Sequence, residues 1–254
     1  MTPPPPWFSD KDVPGAPILA LEEIDSTNAE ARRRAEAGET GPLWITALRQ
    51  TAGRGRRGRA WETGEGNLAA TYLFTTQLRP ADAAQVSFVA ALAVADMASA
   101  FAPPTLVSLK WPNDLMIGGR KAAGILVESG AIAGGGLWVA VGVGVNLAHA
   151  PDLPERPATT FAVHMRATPP GPLEALAPLA EALEAWRRVW EQGGFPPIAK
   201  AWTERAHGMG ERCVAHLSGE TVEGIAESLD ADGALKLRTA NGAVRRITAG
   251  DVFF

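Results

Sequence analysis

The chain has 254 residues, of which 46% are hydrophobic and 20% are charged, and its formal net charge at pH 7 is −4. This length predicts one large domain, or one large and one small domain, with enough apolar residues for a sizeable core. The acidic balance disfavours a protein whose whole surface binds polyanions. The single cysteine, Cys213, excludes an intramolecular disulfide framework and a multi-cysteine metal site, and the four histidines are scattered.

Neither a secretion signal nor a membrane span is expected. The first residues are rich in proline and lack the basic and apolar regions of a signal peptide. The longest apolar run, Val86–Ala102, is interrupted by Ser87, Asp96 and Ser99, so we expect it to be too short and too polar to cross a bilayer. These features predict a soluble, cytoplasmic protein.

The predicted elements begin after a flexible, proline-rich segment over residues 1–17. Hydrophobic runs bounded by turn residues predict strands over Ile18–Ile24, Leu43–Gln50, Leu68–Phe74, Val107–Trp111, Leu115–Ile117, Ala123–Glu128 and Leu137–Val145. Helical spacing and capping residues predict helices from Asp25–Asn28 to near Gly38, over Ala83–Phe101, over Leu173–Glu191 and over Ile198–Ala206. The turn between two of these strands spans Gly118–Lys121, which makes Lys121 a turn lysine.

The sequence changes character from Glu211 onward. Hairpin turns separate four short predicted strands, at Arg212–Leu217, Thr221–Leu229, Ala234–Thr239 and Ala243–Thr248. We therefore expect an α+β domain over residues 18–208 with a small β-barrel over residues 209–254.

The segment Gly53–Gly58 (GRGRRG) has the glycine spacing of a dinucleotide-binding loop. No helix is predicted after it, so the arrangement that places a phosphate on a helix N-terminus is missing. Its arginines instead suit a carboxylate or a phosphate, and its glycines allow close approach to a ligand. A small anionic ligand and a nucleic acid both remain open for this loop, and the acidic chain favours the small ligand.

Three further segments contain candidate binding residues. Lysines are rare in this chain, and two of them lie in Lys110–Asp114 (KWPND) and Arg120–Glu128 (RKAAGILVE). In Gly142–Asn146 (GVGVN), small residues would let a flat ring approach and the asparagine would contact a base edge. Each of these features also has a purely structural explanation. Lys121 would be an ordinary turn lysine, and the small residues of Gly142–Asn146 would serve tight strand packing. Ser26 and Thr27 would only cap a helix.

Together the segments DSTN (25–28), RQTAGRGRRGRAW (49–61), KWPNDL (110–115), RKAAGILVE (120–128) and GVGVN (142–146) resemble the catalytic domain of the biotin protein ligase family. The C-terminal β segment resembles that family's small SH3-like domain. The resemblance implies a mixed-sheet biotin/lipoate ligase fold of the α+β class. It also implies a two-step activity, in which biotin and ATP form biotinyl-5′-AMP and a lysine of a biotin carboxyl carrier protein then takes the biotinyl group.

The resemblance also implies roles for individual residues. It implies that biotin is bound by Ser26, Thr27, Asn28, Gln50, Arg54, Gly55, Arg56, Lys121 and Gly124. It implies that ATP is bound by Arg54, Arg56, Arg57, Lys110, Trp111, Asn113, Asp114, Lys121 and Asn146. Lys121 and Arg56 are the catalytic candidates, and Asp114 is the candidate contact for Mg²⁺. The strand after Asn67 departs from the family pattern because it is rich in alanine, which leaves one wall of the biotin pocket undetermined.

Two other functions remain as alternatives. A lipoate–protein ligase or octanoyltransferase shares the fold, although the pairing of KWPND with the arginine-rich loop favours biotin. A nucleic-acid-binding regulator would place the arginines on phosphates and would bind in a strongly salt-dependent way. Only a short segment precedes the first strand, so we expect the monofunctional form with no N-terminal DNA-binding domain and no specific DNA partner. Exposed sheet edges would allow a homodimer.

Overall fold

The computed structural model describes residues 15–152 and 157–254, so most of the predicted N-terminal segment lies outside the described residues. Within them, one sheet contains seven strands, namely β1 (Ile18–Ile24), β2 (Leu43–Gln50), β3 (Leu68–Thr76), β4 (Val107–Lys110), β5 (Asp114–Ile117), β6 (Arg120–Ala131) and β7 (Leu137–Val145). A second sheet contains β8 (Arg212–His216), β9 (Thr221–Leu229), β10 (Leu235–Arg238), β11 (Val244–Ile247) and β12 (Asp251–Phe253). The helices are α1 (Thr27–Glu36), α2 (Pro80–Ala83), α3 (Val86–Phe101), α4 (Phe161–His164), α5 (Pro172–Gly193) and α6 (Phe195–Thr203).

The larger sheet is mixed, as the resemblance predicted. Its strand order is β1-β2-β3-β7-β6-β5-β4, with β1 and β2 parallel and every other neighbouring pair antiparallel. Helix α1 makes the crossover between the two parallel strands, so its N-terminus lies at the end of β1. The central strand β7 is an almost wholly buried run of small and β-branched residues, as expected for a strand that is paired on both sides.

Helices α3, α5 and α6 pack together, and α3 and α5 contact strands of this sheet. The segment Pro80–Phe101 is the one stretch of the described chain that is long and apolar enough to cross a membrane. By length and composition alone this stretch could cross a membrane, so the expectation that the run is too short and too polar was wrong. Its residues are mostly buried, and α3 contributes Val89, Leu92 and Met97 to the core at full burial. Packing inside the protein accounts for its apolar character.

The hairpin between β5 and β6 is tighter than predicted. Its turn consists of Gly118 and Gly119 alone, with φ of +58° and +74°, as a two-residue turn of this kind requires. Lys121 therefore lies within β6 and is not the turn lysine that the sequence suggested. Its backbone N–H donates to the carbonyl of Pro157, and its carbonyl accepts from the N–H of Thr159, so a neighbouring segment fixes its position.

The C-terminal sheet has five strands where the sequence predicted four. Its order is β11-β10-β9-β8-β12, antiparallel throughout, and the two outer strands do not pair with each other in the described residues. The predicted closed barrel is thus an open sheet. The additional strand, β12, has three residues, too few for a recognisable alternation of apolar and polar residues. The boundary at residues 208 and 209 stays a prediction.

A hydrophobic core runs from the helical layer into the C-terminal sheet. At the junction, the indole N–H of Trp111 donates to the carbonyl of Gly233 at 3.0 Å. The backbone of Leu109 pairs with that of Arg205 and His207 in the segment that leads into the second sheet. These contacts place the C-terminal sheet beside the end of β4 and therefore beside the predicted site.

Candidate active site

A cavity of about 730 Å³ extends from the N-terminus of α1 to the edge of the C-terminal sheet. This volume is typical of a site for a small molecule or cofactor. Every residue that the sequence analysis assigned to biotin or ATP lines it except Arg57. The structure thus brings these distant segments together at one cavity, while the role of each residue stays a prediction.

One end of the cavity is polar and buried. The Ser26 hydroxyl accepts from the N–H of Ala29 at 3.5 Å, so it does cap α1. Thr27 donates from both its N–H and its hydroxyl to Oε1 of Gln50, at 2.8 and 3.1 Å. The amide nitrogen of Gln50 donates in turn to the hydroxyl of Thr63 at 3.0 Å. Capping therefore accounts for part of the role of Ser26, whereas Thr27 and Gln50 form a fixed polar pair at the cavity wall.

Asn28 continues this polar network beneath the cavity. Its amide nitrogen donates to Oε2 of Glu128 at 2.8 Å, and its Oδ1 lies 2.7 Å from the hydroxyl of Thr71. A Cβ at Gly142 would lie 2.2 Å from Asn28 Oδ1, so only glycine leaves room for this amide. The sequence analysis missed Thr71 and Glu128. The sequence signal for Thr71 was a hydroxyl residue within an alanine-rich strand, and the structure buries it fully.

The indole ring of Trp61 forms a flat wall above two glycines. Gly124 and Gly144 are register partners on β6 and β7. A Cβ at Gly144 would lie 2.3 Å from the indole, and one at Gly124 would lie 3.1 Å from it. The sequence analysis expected the small residues to admit the flat ring of a ligand. In the structure, the ring that lies on them is the indole of Trp61. The Lys121 ammonium lies 5.6 Å from the ring centroid, within the range of a cation–π contact.

Lys121 and Asp114 form an ion pair at the cavity wall. The Nζ atom lies 2.5 Å from Asp114 Oδ1, and the two side chains are 31% and 22% exposed. Within the described residues, no group of three or more histidine, cysteine or acidic side chains could hold a metal ion. A metal at Asp114 would therefore depend on ligands supplied by a substrate.

The segment Gly53–Gly66, which we call the arginine loop, folds back on itself beside the cavity. Gly55 N–H donates to the carbonyl of Arg59, and Trp61 N–H donates to that of Gly53. Arg56 donates to Oδ1 of Asn113 at 3.0 Å. Burial lowers the pKa of the Arg56 guanidinium below its usual value. An arginine remains charged despite such a shift, so Arg56 brings a partly desolvated cation to the cavity.

The remaining predicted nucleotide residues lie around the other end. Asn146 is 2% exposed, and its Oδ1 has no hydrogen-bond partner among the described residues. Because a buried acceptor without a partner is costly, this oxygen is suited to accept an N–H from a ligand. Lys110 lies 5.3 Å above the ring of Phe253. Trp111 is nearly buried, and its indole N–H is already engaged by the C-terminal sheet.

Two known protein families match parts of this chain. Residues 21–146 match the biotin/lipoate A/B protein ligase family, and residues 208–254 match the biotin protein ligase C-terminal domain. A biotin--[acetyl-CoA-carboxylase] ligase of Paracoccus denitrificans is 43% identical over 92% of this chain and 99% of its own length. The chain belongs to the biotin protein ligase family. The recognition made from its motifs is therefore confirmed.

Other relatives agree with this assignment. A biotin--[acetyl-CoA-carboxylase] ligase of Mycobacterium tuberculosis is 33% identical over 91% of this chain and 86% of its own length. The biotin protein ligase of Aquifex aeolicus in complex with biotin and ATP superposes with a TM-score of 0.76. That structure is 26% identical in sequence, and the match covers 93% of this chain and 97% of the other. The α+β fold class inferred from sequence is confirmed by these matches.

Proposed function

We propose that this chain is an ATP-dependent biotin–protein ligase that activates biotin as biotinyl-5′-AMP and transfers it to a lysine of a biotin carboxyl carrier protein. The observation that carries the proposal is one cavity that joins the buried polar end at Ser26–Asn28 to the cations Arg56 and Lys121. The likeness to ligases named for biotin and acetyl-CoA-carboxylase supports both the substrate and the acceptor.

Biotin occupies the polar end in this proposal. Its ureido ring offers a carbonyl acceptor and two N–H donors, which suit the hydroxyl and amide groups of Ser26, Thr27 and Gln50. Trp61 and the glycines of β6 and β7 supply the apolar walls for the rest of the ring system. The carboxylate then extends toward Lys121 and the arginine loop, where cations are available.

The first step forms a bond between a biotin carboxylate oxygen and the α-phosphorus of ATP, and it breaks the bond to the β-phosphate so that pyrophosphate leaves. Two anions must be held together, and negative charge increases around phosphorus. Fixed cations that point at that charge should supply most of the stabilisation. We assign this role to Lys121 and Arg56, with Arg54 and Gly55 completing the loop on the biotin side.

The nucleotide end contains Lys110, Asn113 and Asn146 in our assignment. The unpartnered Oδ1 of Asn146 suits the exocyclic amine of adenine. Asp114 supplies a carboxylate for Mg²⁺. A single carboxylate fits this ion, because Mg²⁺ commonly binds through one or two carboxylates plus substrate phosphates. When bound, that ion would neutralise phosphate charge. Lys121 would exchange part of its contact with Asp114 for contacts to the substrates.

The second step joins the acceptor lysine nitrogen to the carbonyl carbon of the mixed anhydride. The bond from that carbon to the phosphate oxygen breaks, AMP leaves, and a proton is lost from the attacking amine. Trp61 and the arginine loop cover the anhydride in this proposal and limit its hydrolysis by water.

A lipoate–protein ligase or octanoyltransferase is the second candidate, because one family model spans both classes of ligase. The buried polar end favours biotin over these acids. A dithiolane or alkyl chain would exclude water from the hydroxyls of Ser26 and Thr27 and the amide of Gln50 without offering them any hydrogen bond, which costs binding free energy.

We further propose a cytoplasmic protein without a membrane partner or a specific DNA partner. The net charge of −4 supports the last point, and binding to DNA that falls steeply with salt would contradict it. A homodimer would use the outer strand β1 of the mixed sheet, because the outer edge of β4 already bonds to the segment at Arg205–His207. Light scattering at several protein concentrations tests this assembly.

Mass spectrometry of a biotin carboxyl carrier domain tests the activity directly. We expect the domain to gain one biotinyl group after incubation with the protein, biotin and Mg-ATP. A carrier domain whose acceptor lysine is replaced by arginine is the control and should gain none. Without any acceptor, the protein should retain biotinyl-5′-AMP. Activation of lipoate or octanoate but not biotin would overturn the proposal.

A further inference from the structure

Two arginines of the arginine loop converge on one carboxylate of the C-terminal sheet. The guanidinium of Arg59 lies 2.6 Å from Asp251 Oδ1, and that of Arg57 lies 3.5 Å from Asp251 Oδ2. Both oxygens of Asp251 therefore face the loop, from a position 192 residues away from Arg59 in sequence. Arg57 does not itself line the cavity, but through this contact it bonds to a residue that does.

A second carboxylate holds the opposite flank of the loop. Arg54 lies 3.9 Å from Oε1 of Glu128 on β6, while Oε2 of Glu128 accepts the amide of Asn28. Arg56, between the two flanks, donates to the neutral amide of Asn113. The loop is thus held from two sides by carboxylates, and its central arginine contacts an uncharged group at the cavity.

Asp251 is well supported for such a role. It is the first residue of β12, where it pairs with His216 of β8, and its side chain is only 25% exposed. The next two residues, Val252 and Phe253, also line the cavity. A shift of β12 would therefore displace both the arginine loop and the wall beside Lys110.

We infer that Asp251 is a positioning residue that holds the arginine loop against the C-terminal sheet, so that Arg56 lies at the nucleotide end of the cavity before ATP binds. Four guanidinium groups within six residues repel one another, and the glycines beside them give the unbound loop high conformational entropy. A carboxylate that contacts two of these groups offsets both costs. The identity of the nucleotide rests on the proposed function, whereas the contact itself does not.

Limited proteolysis without any ligand tests the contact. Asp251→Asn keeps the shape of the side chain and removes its charge. We expect trypsin to cleave after Arg57 and Arg59 about fivefold faster than in the wild type, the change typical of losing a partly exposed ion pair of about 1 kcal/mol. Glu227→Gln is the matched control, because it removes a carboxylate that pairs with Arg238 in the same sheet. Equal rates at the loop in Asp251→Asn and the wild type would overturn the inference.

Steady-state kinetics separate positioning from general structural support. Asp251→Asn should raise the KM for ATP about fivefold with a smaller change in kcat, and Asp251→Glu should restore part of the loss. Arg59→Gln should show the same rise in KM and the same faster cleavage after Arg57. The double variant Arg59→Gln/Asp251→Asn should be no worse than the more severe single variant. If the effects of the two substitutions on the KM for ATP and on the cleavage rate add in the double variant, the inference is overturned, even if one variant folds poorly.

The two proposals fail in different ways. The proteolysis assay contains no substrate, so its result stands whichever acid the enzyme activates. Use of lipoate instead of biotin would contradict the proposed function and leave the loop contact intact. Normal biotinylation by Asp251→Asn, with unchanged KM and unchanged cleavage, would overturn only the role of Asp251.

Discussion

The ammonium nitrogen of Lys121 lies 2.5 Å from Oδ1 of Asp114, across two neighbouring strands of the mixed sheet. Both side chains are mostly shielded from water, and the backbone of Lys121 is bonded to Pro157 and Thr159. The ammonium therefore has a fixed position at the cavity wall before any substrate is present. Such preorganised charge is worth more to a reaction than the same charge on a mobile side chain.

We predict that Lys121→Ala lowers the rate of biotin adenylation by about 10²-fold or more, equivalent to about 2.7 kcal/mol of transition-state stabilisation. The reason is the loss of the cation nearest to the predicted carboxylate and phosphate. Biotin-dependent exchange between pyrophosphate and ATP measures this step. Lys200→Ala, on α6 and away from the cavity, is the control and should react at the wild-type rate. Near-normal activity of Lys121→Ala would return this residue to a structural role.

We predict that Gly144→Ala weakens biotin binding by displacing the indole of Trp61. The added methyl group would lie 2.3 Å from that ring, so the ring must move or the sheet must distort. Overpacking of this kind costs about 1–3 kcal/mol. The KM for biotin should therefore rise by about tenfold, as measured by steady-state adenylation. Gly171→Ala adds a methyl group at a position with no close contact and should leave the KM unchanged.

Local sequence patterns predicted the elements that lie under the site with high accuracy. Strands β1, β2 and β7 have the predicted bounds, because each is an apolar run that ends at turn or capping residues. The motifs around Arg56 and Lys121 also meet in one cavity, as the family resemblance implied. Segments with a strong local pattern of apolar and turn residues are the ones whose bounds the sequence predicts best.

Other parts of the site depend on contacts between distant residues, which no local pattern contains. Asp251 contacts the arginine loop from the other sheet, and β12 that presents it is only three residues long. Trp61 lies on Gly144 through tertiary packing. Lys121 was misplaced because the turn required only two glycines, and the extra two residues joined β6. Each failure concerns a position set by a neighbour distant in sequence.

We predict a small acid-dependent loss of stability at Asp25. Two hydrogen bonds from Arg33 lower the pKa of Asp25 from 3.8 to about 2. A carboxyl whose pKa is lower in the folded state stabilises the fold above its unfolded pKa, and this contribution disappears as the pH falls from about 4 toward 2. Because both side chains are nearly half exposed, we expect less than about 1 kcal/mol.

Urea unfolding of the wild type and Asp25→Asn measures this contribution. The difference in the free energy of unfolding should be present at pH 7 and should shrink below pH 4. Arg33→Gln should cause a similar loss, and adding Asp25→Asn to it should have little further effect. A difference that is equally large at pH 7 and at pH 3 would contradict this origin.

Our last prediction is that substrates order the arginine loop. Apart from Trp61, the loop has clustered arginines and glycines and little apolar surface to offset the cost of fixing its backbone, which is roughly 1–2 kcal/mol per residue. Biotinyl-5′-AMP offers a phosphate to Arg54 and Arg56 and an apolar ring for Trp61 to cover. Both contacts favour the closed loop, so the ligand should shift the population toward it. Closure would also keep water from the mixed anhydride.

Trypsin provides the measurement, because it cleaves after arginines in an open loop. The contacts with Asp251 and Glu128 slow the opening of the free loop but do not prevent it, so we expect cleavage between Arg54 and Arg59 in the free protein. We expect strong further protection by biotin with ATP or by a stable analogue of the adenylate. If the ligand binds the closed form alone, a concentration of 100 times its Kd should reduce the open population about 100-fold. Lipoate with ATP is the control and should protect far less. Equal cleavage with and without biotin and ATP would mean that the loop does not close on its ligand, and the roles assigned to Arg54 and Arg56 would have to be withdrawn.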